Sequence, residues 1–287
     1  MLKQKTIAKE ASFFGIGVHT GSRTGLRFIP AEPNTGIKFV RVDLPGRPEI
    51  KADIRNVIGF VRGTTIGNSE VNVHTVEHVL ATLSGFGITN LIVEIDDKEP
   101  PVGDGSSLVY VDMIKKAGVV EQDDVVEVFS PSEIIHVREN DTILVVLPYD
   151  GFKISYTVSF KHPNLKAQYL SLDINRQSFV EEIASARTFC FYREVEALMN
   201  QGLIKGGSLD NAVVIGDNAI FAKEELRYPD EFVRHKILDL IGDTYLLGMP
   251  IRCHIVAIKS GHAANIKLTQ HLLAEYQKTQ SKCGLSS

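Results

Sequence analysis

A chain of 287 residues, 44% hydrophobic and 23% charged, is long enough for two ordinary domains and apolar enough for a substantial core. Its net charge of −4, with no long basic run, argues against nucleic acid as a partner but leaves room for a phosphorylated small molecule at a local basic spot. No stretch suits a signal peptide or approaches the roughly 18 apolar residues of a membrane span, and Cys190, Cys253 and Cys283 form no C-x-x-C pair, so the composition predicts a cytoplasmic protein whose metal, if any, is held by histidines and carboxylates.

The first ~120 residues read as short strands and turns followed by helix and strand. "TGLRFIPA" and "GIKFVRVD" are strand-like and bounded by Gly, Pro and Asn. "TVEHVLATLSGFG" places Val76, Val79, Leu80 and Leu83 on one helical face and ends on glycines that suit a C-cap. "TNLIVEIDD" reads as a buried strand, and "DGSSLVYVDMIKKAG" as a helix with an Asp/Ser start and lysines in its last turn. The charged run "EQDD" at 121–124 breaks this pattern, which predicts one α+β domain over 1–124 and a second over 125–287.

Beyond it, "SEIIHVREN", "TILVVLPYDG" and "FKISYTVSF" read as consecutive antiparallel strands, with hairpin signals at Glu139-Asn140-Asp141 and Asp150-Gly151. "EFVRHKILDLIGDTYLLG" (231–248) reads as a helix with Val233, Ile237, Leu240, Ile241, Thr244 and Leu247 on one face. His235, Asp239 and Asp243 stack at i, i+4 and i+8 on the other, in a row completed by Gly242 and Leu246 that predicts a cleft-facing surface. Segments 77–95 and 235–258 share a plan: an early histidine on a helix, a terminating glycine, then a β-branched strand. That parallel predicts two domains of similar topology.

Two residues on one helix face supply half of a catalytic metal site, which needs three protein ligands and an open position for water. His235 and Asp239 are that pair, and His78 is the natural third donor. Glu77, beside His78, either serves as general base or is a first-turn glutamate favoured by the helix dipole. His262 in "IKSGHAANIKL" lies between small residues that leave its imidazole open, and Asp243 is placed to orient it and raise its pKa. In "SARTFCF", Thr188 offers a hydroxyl to an oxyanion, while Phe189 and Phe191 either line an apolar or base-stacking site or simply join the core.

Taken in order, "GIGVHTG" (15–21), "TVEH" (75–78), "SARTF" (185–189), "GGSLDNAVV" (206–214), "RHKILDLIGD" (234–243) and "GHAANIKL" (261–268) resemble the UDP-3-O-acyl-N-acetylglucosamine deacetylases of lipid A biosynthesis over nearly the whole chain. The resemblance implies two α+β domains of similar topology, helices sandwiched between two mainly antiparallel sheets, and a small insert in each domain. The second insert, around Thr188 to Val214, would form an apolar passage for an acyl chain. It implies one Zn2+ per chain on His78, His235 and Asp239, although the ligand types also suit ferrous iron. Glu77 would be the general base toward a water at the metal, which would polarise the acetamide carbonyl. Thr188 would help hold the oxyanion, and His262, supported by Asp243, would protonate the leaving amine. Lys236 would contact substrate near its phosphates, and Phe160 in "SFKHP" would stack on the uracil. The expected partner is that UDP-sugar, with no nucleic acid, no transmembrane segment, at most a transient membrane-surface contact, and a monomeric state.

Two other readings compete. "VNVHTVEHVLATL" (71–83) contains H-x-x-E-H, the helix motif of inverted zinc peptidases, with His74 and His78 as ligands. That reading requires a further glutamate from a downstream helix, where the sequence reads as hairpins, and leaves His235, Asp239 and Asp243 without a purpose. A non-catalytic two-domain scaffold accounts for each motif singly but not for their joint occurrence. On the deacetylase reading His74 either supports the metal ligands from behind or is purely structural.

Overall fold

Alternating apolar and polar residues build a five-stranded sheet in each half of the chain. In the computed structural model, which describes residues 2–160, 162 and 165–284, the first sheet contains β1 (Ala11–Ile16), β2 (Arg23–Pro30), β3 (Ile37–Arg41), β4 (Glu49–Lys51) and β5 (Leu91–Ile95). Its spatial order is β1-β2-β5-β3-β4. The second contains β6 (Ile135–Glu139), β7 (Thr142–Pro148), β8 (Phe152–Val158), β9 (Gln168–Asp173) and β10 (Cys253–Ile258), in the order β6-β7-β10-β8-β9. The two orders are the same. In each, the sheet's last strand in chain order sits in the centre, antiparallel to one neighbour and parallel to the other.

Helices α1 (Glu77–Phe86) and α2 (Leu108–Ala117) belong to the first half; α3 (Tyr192–Asn200), α4 (Glu231–Tyr245) and α5 (His262–Gly284) belong to the second. One continuous core runs from Phe28 and Val93 of the first sheet, through Leu80 and Leu83 of α1 and Ile237 and Ile241 of α4, to Leu144 and Ile255 of the second. Each such fully buried side chain contributes about 1.5–3 kcal/mol of hydrophobic stabilisation. The fold is therefore α+β, with helices between two mainly antiparallel sheets. Each half also carries a small three-stranded sheet: Val57–Gly59 with Thr65–Gly67 and Asn72–Val73, and Phe189–Phe191 with Val213–Ile215 and Ile220–Phe221.

Four local expectations change. The Asp150-Gly151 turn joins β7 to β8, but these strands are not paired; β10 lies between them, because the central strand arrives about 100 residues later in the chain. "EQDD" is not a break: it lies in a strand, Val119–Val125, that pairs antiparallel with Lys3–Ile7, and its charges point largely to solvent. Ser107, at the start of α2, makes no side-chain cap; its hydroxyl donates to the carbonyl of His78 at 3.1 Å. Helix α4 is buried all round except at Arg234 and Lys236: His235 and Asp239 of its polar row do border a cavity, but Gly242 and Leu246 are buried, because the helix lies in the interior against α1 and the second sheet. Lys161, Pro163 and Asn164 in and beside "SFKHP", and the Cys283 side chain, lie outside the described residues.

The α1–α4 crossing depends on Gly242. A Cβ built there would stand 2.1 Å from the carbonyl oxygen of Glu77, so the helices meet backbone to backbone. Gly242→Ala should lower stability by about 1–3 kcal/mol or more through overpacking, read as a drop in the urea midpoint. An unchanged midpoint would mean the helices do not pack this closely.

Candidate active site

Helices α1 and α4 bring His78, His235 and Asp239 together although the two histidines are 157 positions apart in the chain. One potential ligand atom from each lies within 4.8 Å of the others, and all three residues are buried. His235 Nε2 is 3.4 Å and His78 Nε2 3.8 Å from Asp239 Oδ1, too far for hydrogen bonds. Tetrahedral zinc with bonds of about 2.1 Å sets its ligand atoms roughly 3.4 Å apart, so the spacing suits a small cation.

The surroundings aim these atoms. His235 donates its Nδ1 proton to the Ala186 carbonyl at 3.0 Å, which turns the Nε2 lone pair to the cluster. Ala186 is fixed in turn by Arg187, whose backbone N–H and guanidinium both bond the fully buried Glu231 of α4. Lys236 bonds Asp239 Oδ2 at 2.8 Å and leaves Oδ1 to the cluster. Burial, reinforced by the neighbouring His235, pushes His78 down to about 3, and burial also lowers His235. Burial favours the acid form of Asp239, but Lys236 and His235 outweigh it and hold the carboxyl well below its ordinary range. Two neutral imidazoles and one carboxylate therefore converge, the protonation state that metal binding needs.

Glu77 and His262 stand at the edge of this set. Glu77 Oε1 is 3.9 Å from His262 Nε2, and Oε2 accepts the backbone N–H of Thr64 at 2.9 Å. Burial raises Glu77 to about 7, against the pull of His262. On the far side of the ring, His262 Nδ1 donates to Asp243 Oδ2 at 2.8 Å. Asp243 also accepts the Thr64 hydroxyl at 2.6 Å and the Asn265 amide at 2.9 Å. Burial alone would lower the His262 pKa, but Asp243 and then Asp239 overcome it and raise the imidazole to about 9. Near neutral pH the pair thus offers one group ready to take a proton and one ready to give it.

A cavity of about 390 Å³ opens onto these groups, and Thr188, Phe189 and Phe160 line it. Among the described residues nothing hydrogen-bonds the Thr188 hydroxyl, whose backbone is pinned to Gly105 and Val213. Phe160 meets Phe189 and Phe191 edge to face, at 5.6 and 5.3 Å between centroids. Phe191, Val195, Leu198, Ile204 and Val214 extend the cavity as an apolar channel through the second small sheet and α3. His74 lies elsewhere: its Nδ1 meets the Thr65 hydroxyl at 2.9 Å, and it lines a separate depression beside Lys98.

Thr64, Asn265, Glu231 and Glu99 were not singled out in the sequence, and Arg187 in "SARTFCF" was given no role. Asn265 follows His262 by three residues and Glu231 precedes His235 by four, so helical spacing was a usable signal for both. Thr64 carried none, because its partners lie 13 and 179 residues away.

A buried two-histidine, one-carboxylate set beside a carboxyl and an imidazole, all bordering one cavity, has the donor types of a catalytic metal centre. The profile of the UDP-3-O-acyl N-acetylglycosamine deacetylases matches residues 4–274. Proteins named UDP-3-O-acyl-N-acetylglucosamine deacetylase are similar to the chain: that of Bdellovibrio bacteriovorus is 43% identical over 95% of this chain and 90% of its own. The Thermodesulfovibrio yellowstonii protein is 44% identical over 94% and 91%, and the Chlamydia felis protein 44% over 96% and 98%. The chain is an enzyme of the UDP-3-O-acyl-N-acetylglucosamine deacetylase family.

Proposed function

We propose that the protein hydrolyses the N-acetyl group of UDP-3-O-acyl-N-acetylglucosamine, releasing acetate and the free amine, a step of lipid A biosynthesis. The observation that carries this reading is Glu77 and His262 facing each other beside the His78–His235–Asp239 set. We divide the chain at 124/125, so that one domain brings Glu77 and His78 and the other brings the remaining groups. Cytoplasmic location fits the free thiols of Cys190 and Cys253 among the described residues. No described helix is long and apolar enough to cross a membrane.

His78, His235 and Asp239 would hold one Zn2+, which when bound supplies Lewis-acid polarisation of the amide and acidification of water. Glu77 takes a proton from the attacking water as its oxygen bonds to the acetyl carbon. The Thr188 hydroxyl donates to the oxyanion that forms. His262 delivers its Nε2 proton to the amide nitrogen, and the C–N bond breaks to give the neutral amine and acetic acid. The acid's proton restores the imidazolium as acetate leaves, while Glu77 passes its proton to the amine or to solvent. Asp243 holds the imidazole in place throughout. The acyl chain occupies the apolar channel, Lys236 meets the phosphate end of the substrate, and Phe160 and Phe189 form the wall beside the nucleotide sugar.

Purified protein with one zinc per chain should release acetate from this substrate; no release from the metal-loaded protein would overturn the reading. The pH profile of kcat/KM should be bell-shaped. Activity rises as Glu77 loses its proton, at or below about 7 because a nearby cation favours the carboxylate, and falls through about 9 as His262 loses its own. His262→Gln should remove the falling limb. A limb that persists in that variant belongs to another group.

A further inference from the structure

Glu99 is a fully buried carboxylate with no Lys or Arg partner among the described residues. It accepts the backbone N–H of His19 at 3.0 Å, the backbone N–H of Thr20 at 2.8 Å and the hydroxyl of Thr75 at 3.0 Å. Neutral donors from two separate segments thus converge on one buried charge. The approach is tight: a Cβ at Gly17 would lie 2.4 Å from Glu99 Oε2.

Both segments border the candidate active site. His19 and Thr75 line its cavity. Thr75 stands two residues before Glu77 and three before His78, with φ +55°, a left-handed backbone that a β-branched residue rarely adopts. Such a conformation persists only where its surroundings over-determine it. Backbone N–H groups on either side of it donate to the Lys98 and Thr64 carbonyls, and its own hydroxyl donates to Glu99. From there the chain passes directly into the first turn of α1, where Glu77 accepts the Thr64 N–H.

We propose that Glu99 is a positioning residue of this site, locking Thr75 in its left-handed conformation and thereby setting where Glu77 and His78 enter the cavity, while tying the His19 loop to the same point. A carboxylate that merely stabilised the His19 loop would not act through the Thr75 hydroxyl. Three variants separate the two roles: Thr75→Val, which keeps shape and branching but removes the hydroxyl; Thr75→Ser, which restores it; and Glu99→Gln. Two measurements apply, namely kcat and KM for acetate release, the arm that rests on the deacetylase reading, and the exchange rate of the Thr64 amide hydrogen.

Thr75→Val should lower kcat about tenfold or more, as misplaced catalytic groups do, with KM changed less than about threefold. Its Thr64 amide should exchange about tenfold faster as Glu77 loosens. Thr75→Ser should behave as wild type. Glu99→Gln should match Thr75→Val, and the double variant should be no worse than the poorer single one, the signature of two groups acting as one unit. Wild-type kcat with wild-type Thr64 exchange in Thr75→Val overturns the proposal, whether or not Glu99→Gln folds, and so do losses that multiply in the double variant. If the wild-type protein releases no acetate, the deacetylase reading falls, and the Thr64 exchange alone decides the role of Glu99.

Discussion

Glu77→Gln should reduce kcat by about 10³-fold, within the range that loss of a general base costs, while metal content stays at its wild-type value. The glutamine oxygen can still accept the Thr64 N–H, so the shape of the buried site persists. What disappears is a carboxyl raised to about 7 by burial and held 3.9 Å from His262. Acetate release gives the rate, and metal analysis of the same preparation shows whether the ligand set survives. A variant that retains more than about a tenth of wild-type kcat would show that the base lies elsewhere.

His78→Gln should lose most of its metal, and His74→Gln should keep it. Removing His78 leaves two of three ligands, so the affinity loss should exceed the roughly 10–100-fold that altered outer partners cost. His74 bonds Thr65 and stands outside the cluster, so its replacement should leave the metal in place. Asp239→Asn should resemble His78→Gln, since it removes the negative charge that both imidazoles face. Metal content after dialysis tests all three variants. Metal lost from His74→Gln but retained by Asp239→Asn would restore the H-x-x-E-H peptidase reading.

Much of this was legible along the chain because its causes are local. The His235/Asp239/Asp243 row follows from helical geometry, and Glu77 and His78 are neighbours in sequence. The matching plans of 77–95 and 235–258 correspond to two sheets of the same strand order, each with its late strand at the centre. The burial of α4 was not legible. Its polar row reads as a cleft-facing surface throughout until α1 is laid against it, and Gly242, read as part of that cleft wall, is where the two backbones touch.

By itself, then, the sequence determined the α+β class and the family, and it offered the chemical types proposed for the site: two imidazoles and a carboxylate as donors, a carboxyl and an imidazole for proton transfer. Tertiary structure decided their meeting and their protonation states. Folding places Thr64 between Glu77 and Asp243, sets Ala186 behind His235, and gathers His19, Thr20 and Thr75 around Glu99. It also removes the water that would otherwise level their pKa values: that desolvation raises Glu77 and lowers His78, while at His262, which burial alone would lower, the carboxylates of Asp243 and Asp239 prevail and raise it. Hydrogen bonds and electric fields act across a few ångströms of space whatever the separation along the chain, so these effects appear only when the two halves close on each other.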